Sequence, residues 1–106
     1  MQELFDILRE FRDSRGWEKY HTPKNLSVSI AIEAAELLEL FQWTKSIEDE
    51  MKVLEGKRKE VEEEIADILI YALFLCDVAG IDPLVAVKRK MEKNERKYPK
   101  DRVYEF

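Results

Sequence analysis

The chain has 106 residues with 45% hydrophobic and 39% charged side chains, which is enough for one domain around one modest core. A formal net charge of −5 and a sequence pI near 5.0 argue against a broad electrostatic footprint for nucleic acid, and the single cysteine, Cys76, excludes an internal disulfide. Neither a signal peptide nor an apolar run long enough to cross a membrane is visible. The expectation is therefore a cytoplasmic protein with no membrane partner, a single domain over residues 1–106. Only three glycines and three prolines accompany this many charges, a composition that favours long helices.

Residues Gln2 to Ser14 place Leu4, Phe5, Leu8 and Phe11 on one side and Glu3, Arg9, Arg12 and Asp13 on the other, predicting an amphipathic first helix that Gly16 terminates. The connector GWEKYHTPK is rich in aromatic residues for a loop and is a candidate pocket wall. Pro23 and Asn25 signal a second helix running to about Gln42. In the segment that follows, Ser46 and Asp49 resemble a capping box that opens a short turn or helix, and Gly56 breaks it. A third helix spans about Lys57 to Ala79 with Gly80 as its terminator. Its second half, ILIYALFLCDVA, is apolar nearly all round, as in a helix buried on most sides, and Cys76 reads as a buried thiol within it. Asp82 and Pro83 open a fourth helix with Leu84, Val87 and Met91 facing inward; Tyr98 and Pro99 close it, and the tail DRVYEF is unassigned. Four helices with short connections predict an all-α fold resembling a four-helix bundle.

The sharpest feature is a duplicated pair of acids, because EAAELL at Glu33–Leu38 is echoed by EIADIL at Glu64–Leu69. Each copy sets two carboxylates one helical turn apart on a face shared with Ile30, Leu37, Ile68 and Tyr71. If the two helices pack antiparallel, Glu33, Glu36, Glu64 and Asp67 converge in a partly desolvated groove. Charges that close repel unless they are protonated, hydrogen-bonded or bridged by cations. All-oxygen donors select Mg²⁺ or Mn²⁺ over a softer ion. Di-iron carboxylate bundles normally use Glu-x-x-His motifs, and the only histidine, His21, lies outside both pairs and reads as a loop hydrogen-bonder or a substrate contact. Glu60, Glu62 and Glu63 read as a solvated helix start, and Glu39 as an auxiliary ligand or an exposed acid.

Acids with Mg²⁺ suit phosphoryl chemistry. Lys90, Asn94 and Lys97 follow at i, i+4 and i+7 along the fourth helix, a polar stripe with the reach to contact a polyphosphate or else a solvated basic face. Trp17, Trp43 and Tyr71 flank the acids and offer stacking surfaces for a nucleobase.

The stretches GWEKYHTPKNL, IEAAELLELFQW, EEEIADILIYAL and KMEKNERKYP occur in that order between Phe11 and Pro99, and with them the chain resembles the MazG-type all-α nucleoside triphosphate pyrophosphohydrolases, the dCTP pyrophosphatase branch in particular. The resemblance implies Mg²⁺-dependent cleavage between the α and β phosphates, giving a nucleoside monophosphate and pyrophosphate. By motif position, Glu33, Glu36, Glu64 and Asp67 would hold the metal and carry catalysis. Trp17, Trp43 and Tyr71 would enclose the base, and Lys90 and Asn94 would approach the phosphates of a nucleoside triphosphate. It also implies a homodimer or homotetramer. Leu8 departs from the pattern, standing where relatives of that branch carry a polar residue that contacts the base. The expected substrate is dCTP or a modified cytidine-type deoxynucleotide, with dUTP or phosphoribosyl-ATP hydrolysis as an alternative. A rival of another class is a non-catalytic helical oligomerisation module whose acids form ion pairs across an interface.

Overall fold

The computed structural model describes residues 1–100, so the tail DRVYEF lies outside the described residues. Five α-helices run in the order α1 (Gln2–Asp13), α2 (Pro23–Glu39), α3 (Ile47–Gly56), α4 (Arg58–Ala79) and α5 (Pro83–Lys97), with a 3₁₀ turn at Glu18–Tyr20 after α1. No strand occurs among the described residues. The all-α expectation holds, and α3 joins the four expected helices as a full element. Its start is the Ser46–Asp49 pair: the Asp49 amide donates to Ser46 Oγ at 3.1 Å, and Asp49 Oδ2 accepts from the Lys45 amide at 3.0 Å.

Helix ends follow the local chemistry. Thr22 caps α2 by accepting from the Asn25 amide at 3.2 Å, with Pro23 in the first turn. Asp82 Oδ1 accepts from the amides of Leu84 and Val85 at the start of α5. Gly16 and Gly80 take φ of +64° and +67°, the left-handed geometry that lets the amides of Trp17 and Ile81 turn back onto the carbonyls of Arg12 and Cys76. The second helix stops at Glu39, three residues short of the expected Gln42. Beyond it the amides of Leu40, Phe41 and Gln42 bond three residues back, and this tighter winding turns the chain off the α2 axis.

α2 packs along α4 far more extensively than any other helices pair. Leu26, near the start of α2, packs against Phe74 in the second half of α4, whereas Glu33 sits with Glu64 and Asp67 near its start. The helices are therefore antiparallel. Leu8 of α1 joins Leu26 and Phe74 in the core, bordered by Ile70, Tyr71, Leu73 and Leu75. α5 leaves α4 at 100° and packs extensively on no other helix.

Two expectations are corrected by this arrangement. The second half of α4 is not covered on most sides: Phe74 alone is fully buried there, Cys76 is half-buried, and Leu69 and Val78 are exposed. The reason is that α5 does not fold back over it, so Leu84, Val87 and Met91 are exposed as well. Arg12, assigned by pattern to the polar side of α1, is buried because its guanidinium reaches Asp77 Oδ2 at 3.1 Å across the α1–α4 contact and Asp13 Oδ1 at 2.8 Å. Arg9 donates to the other oxygen of Asp77. No single described helix is long and apolar enough to cross a membrane.

The Arg9 hydrogen bond holds the Asp77 carboxyl below its ordinary value of 3.8. Its contribution to stability is thus present above that value and is lost as the pH falls through the lower folded one. Asp77→Ala leaves the buried Arg12 cation with Asp13 as its one remaining carboxylate partner among the described residues and should lower stability by roughly 1 to 3 kcal/mol at neutral pH; thermal denaturation from pH 7 to 2.5 should show the difference shrinking toward the acid end.

Candidate metal centre and its aromatic clefts

The antiparallel α2–α4 seam brings the duplicated acids together. One carboxylate oxygen each from Glu33, Glu64 and Asp67 lies within 4.8 Å of the others, and all three residues are half-buried. Glu36, one turn beyond Glu33, is exposed at the edge of this trio. It still acts on both glutamates. Burial, then hydrogen bonding and repulsion from Glu36, then the charge of Asp67, push the Glu33 carboxyl up to about 7. Burial and Glu36 raise Glu64 in the same direction.

Glu33 Oε2 and Glu64 Oε2 are buried and have no hydrogen-bond partner among the described residues. A buried carboxylate oxygen without a donor is strongly disfavoured, and no lysine or arginine forms an ion pair with any of the four acids among the described residues. The donors are all oxygen, and two of them lack any other partner. The residues present therefore fit a hard divalent cation.

Tyr71 stands one turn past Asp67. Its phenol is raised above its ordinary value by burial and then by the charges of Glu33, Asp67 and Glu36. Two clefts adjoin it. One, of about 300 Å³, lies between the 3₁₀ turn and α2, with Trp17, Tyr20, His21, Asn25 and Ser29 in its walls. The other, of about 340 Å³, lies between α1 and α4, where Asp67 meets the apolar side chains of Ile7, Leu8, Phe11, Ile70 and Phe74. Trp17 is held at the rim of the first by an edge-to-face contact with Phe11, with ring centroids 5.5 Å apart.

The other expected residues lie elsewhere in the chain. Trp43 follows the tight winding after α2, is 82% exposed and borders a separate cleft with Leu40, Lys52 and Val53. Lys90 is exposed and Asn94 half-buried on α5, a helix that packs extensively on no other. Tyr20 stands in the aromatic connector expected to wall a pocket and does so, whereas sequence reasoning missed Asn25 and Ser29, which join it in the same cleft as Tyr71. His21 was flagged, but its side chain makes no hydrogen bond within the described residues and instead packs its ring on Phe74 at 4.5 Å.

An antiparallel helix pair carrying an unpaired carboxylate cluster beside aromatic clefts defines an all-helical protein built around a candidate cation site. Residues 28–105 match the MazG-like family, and the chain belongs to that family. Over 100 residues it is 35% identical to dCTP pyrophosphatase 1 of Rattus norvegicus and of Homo sapiens and 36% identical to that of Bos taurus. The match covers 93% of this chain, but the chain spans only 59% of the length of these relatives. A crystal structure of a pyrophosphatase from Archaeoglobus fulgidus superposes with a TM-score of 0.92 at 77% identity, covering 94% of this chain and 93% of that one.

Between its ordinary value of 4.5 and about 7, Glu33 in the folded, cation-free protein binds a proton that the unfolded chain has released. Stability without cation therefore falls as the pH rises through that window. A cation must displace this proton. The melting shift produced by a fixed Mg²⁺ concentration should grow from pH 6 to pH 8, and Glu33→Gln should reduce that growth; melts with and without chelator at each pH check it.

Proposed function

We propose that the protein is a Mg²⁺-dependent nucleoside triphosphate pyrophosphohydrolase that converts a triphosphate to the monophosphate and pyrophosphate. The observation that carries this reading is the pair of buried, unpartnered oxygens Glu33 Oε2 and Glu64 Oε2 beside Asp67 and next to clefts walled by aromatic side chains. The relatives named dCTP pyrophosphatase and the structural neighbour titled a pyrophosphatase support the same reaction.

In this reading Glu33, Glu36, Glu64 and Asp67 hold the divalent ion, which supplies neutralisation of the phosphate oxygens and polarisation of water when bound. The chain's own residues do the remainder. The acids orient the attacking water and one glutamate takes its proton, while the bond between the α-phosphorus and the bridging oxygen breaks and pyrophosphate leaves. Trp17 and Tyr71 line one cleft and bind the nucleoside end. The proposed substrate is dCTP or a modified cytidine-type deoxynucleotide.

We further infer a homodimer or homotetramer. The Cα radius of gyration is 17.0 Å, against about 13 Å for a compact chain of this length, and Ile32, Leu38, Leu69, Val87 and Met91 are all more than half exposed. Surfaces of this kind are covered in a stable soluble protein. A second copy is the source of apolar surface that this expectation names, and assembly would also decide where Trp43, Lys90 and Asn94 stand relative to a site.

Glu64→Gln keeps the shape and helix propensity of the side chain while removing its charge. It should lower triphosphate turnover at least about 100-fold and leave the helical circular dichroism spectrum unchanged. Turnover equal to that of the unaltered protein would sink the assignment.

A further inference from the structure

The cleft between the 3₁₀ turn and α2 contains polar groups that the phosphate chemistry does not use. The His21 ring lies against Phe74 with its plane tilted by 58°. Among the described residues its Nδ1 is buried with no hydrogen-bond partner, whereas Nε2 retains solvent access and makes no hydrogen bond. The imidazole thus has one closed nitrogen and one open nitrogen, and its ring lines the cleft.

A charged imidazole needs acceptors for two N–H groups, and the closed position offers none. Burial, and secondarily the charge of Arg12, accordingly lower the His21 pKa. In the neutral ring the proton goes to the open nitrogen, since a stranded N–H is worse tolerated than a stranded lone pair. His21, a residue of the cleft wall, therefore carries its N–H on the open nitrogen.

Asn25 complements it. Its Nδ2 donates to the Tyr20 carbonyl at 3.0 Å, which fixes the amide orientation and leaves Oδ1 as an acceptor. The hydroxyl of Ser29 adds a second polar group to the same cleft, and Trp17 and Tyr20 supply apolar walls. Aromatic walls with a donor and an acceptor suit a planar heterocycle bearing a carbonyl.

We propose that His21 is a specificity residue of the nucleotide site, its Nε2–H donating to a carbonyl oxygen of a pyrimidine base held against Trp17 and Tyr20. This rests on the pyrophosphohydrolase reading for the identity of the ligand. A site built to donate one hydrogen bond discriminates against a base that has no carbonyl, because the donor is then left unmet. Adenine has none.

The test is His21→Phe, which keeps a ring to pack on Phe74 and removes both nitrogens. Binding of dCMP and dAMP is read from quenching of tryptophan fluorescence, which requires no turnover. The variant should melt no lower than the unaltered protein, because the closed Nδ1 is gone. Its affinity for dCMP should fall roughly tenfold or more, and its affinity for dAMP should hardly change. His21→Gln, which restores an N–H on a side chain of similar reach, should recover part of the dCMP affinity. Equal dCMP affinity in His21→Phe and the unaltered protein, an equal loss for both nucleotides, or no dCMP binding by the unaltered protein would each overturn the assignment. If dCMP binding behaves as expected while triphosphates are not turned over, the hydrolase reading fails and the His21 assignment stands.

Discussion

Mutual repulsion of carboxylates across the α2–α4 seam is the constraint on which the rest of the site depends. Glu33, Glu64 and Asp67 bring ligand oxygens within 4.8 Å of one another, Glu36 adds a fourth charge beside them, and no basic side chain among the described residues pairs with them. Hydrophobic contact between Leu26 and Phe74 further along the same seam fixes the helices at this spacing. The packing that closes the core therefore forces the acids together. The proton that Glu33 retains up to about pH 7 partly relieves this strain when no cation is bound. A divalent ion relieves it more fully, and this links the fold to its chemistry.

The parts of this arrangement that depend on local chemistry were legible in the chain. Asp82 with Pro83, Gly16, Gly80 and the Ser46–Asp49 pair mark helix ends through bonds made within a few residues, and each acts as its residue type implies. The acid pairs were legible because a shared helix face is a matter of spacing alone. What escaped depends on contacts between distant residues. The burial of Arg12 follows from Asp77 on another helix, and no periodicity in α1 announces it. The exposure of α4 follows from the direction α5 takes after Pro83, and an apolar helix reads the same whether its cover comes from its own chain or from another. Trp43 leaves the acid face because the chain tightens after Glu39, a change of winding that adjacent apolar residues do not encode.

Tyr71 connects the pieces. Its phenol is raised by the charges of the acids as well as by burial, and its side chain borders both the cleft beside His21 and the cleft beside Leu8. The two clefts differ in kind. The first carries hydrogen-bonding groups, and the second is apolar apart from Asp67 and the Tyr71 hydroxyl. With Leu8 buried in the core, the α1 side of the second cleft offers no polar group of its own, and the hydrogen-bonding groups proposed to read a base lie in the first. The large apolar area left open on α4 and α5 bears instead on the proposed assembly.

The central claim is that these acids serve cleavage of a nucleoside triphosphate at its α-phosphorus. The most direct measurement is chromatographic identification of the products formed by the purified protein from each ribo- and deoxynucleoside triphosphate, with Mg²⁺ and with chelator. The account predicts monophosphate and pyrophosphate in equal amounts from a subset of bases that includes cytosine, and nothing when the metal is chelated. Release of inorganic phosphate with a diphosphate, or products formed equally in the presence of chelator, would contradict it.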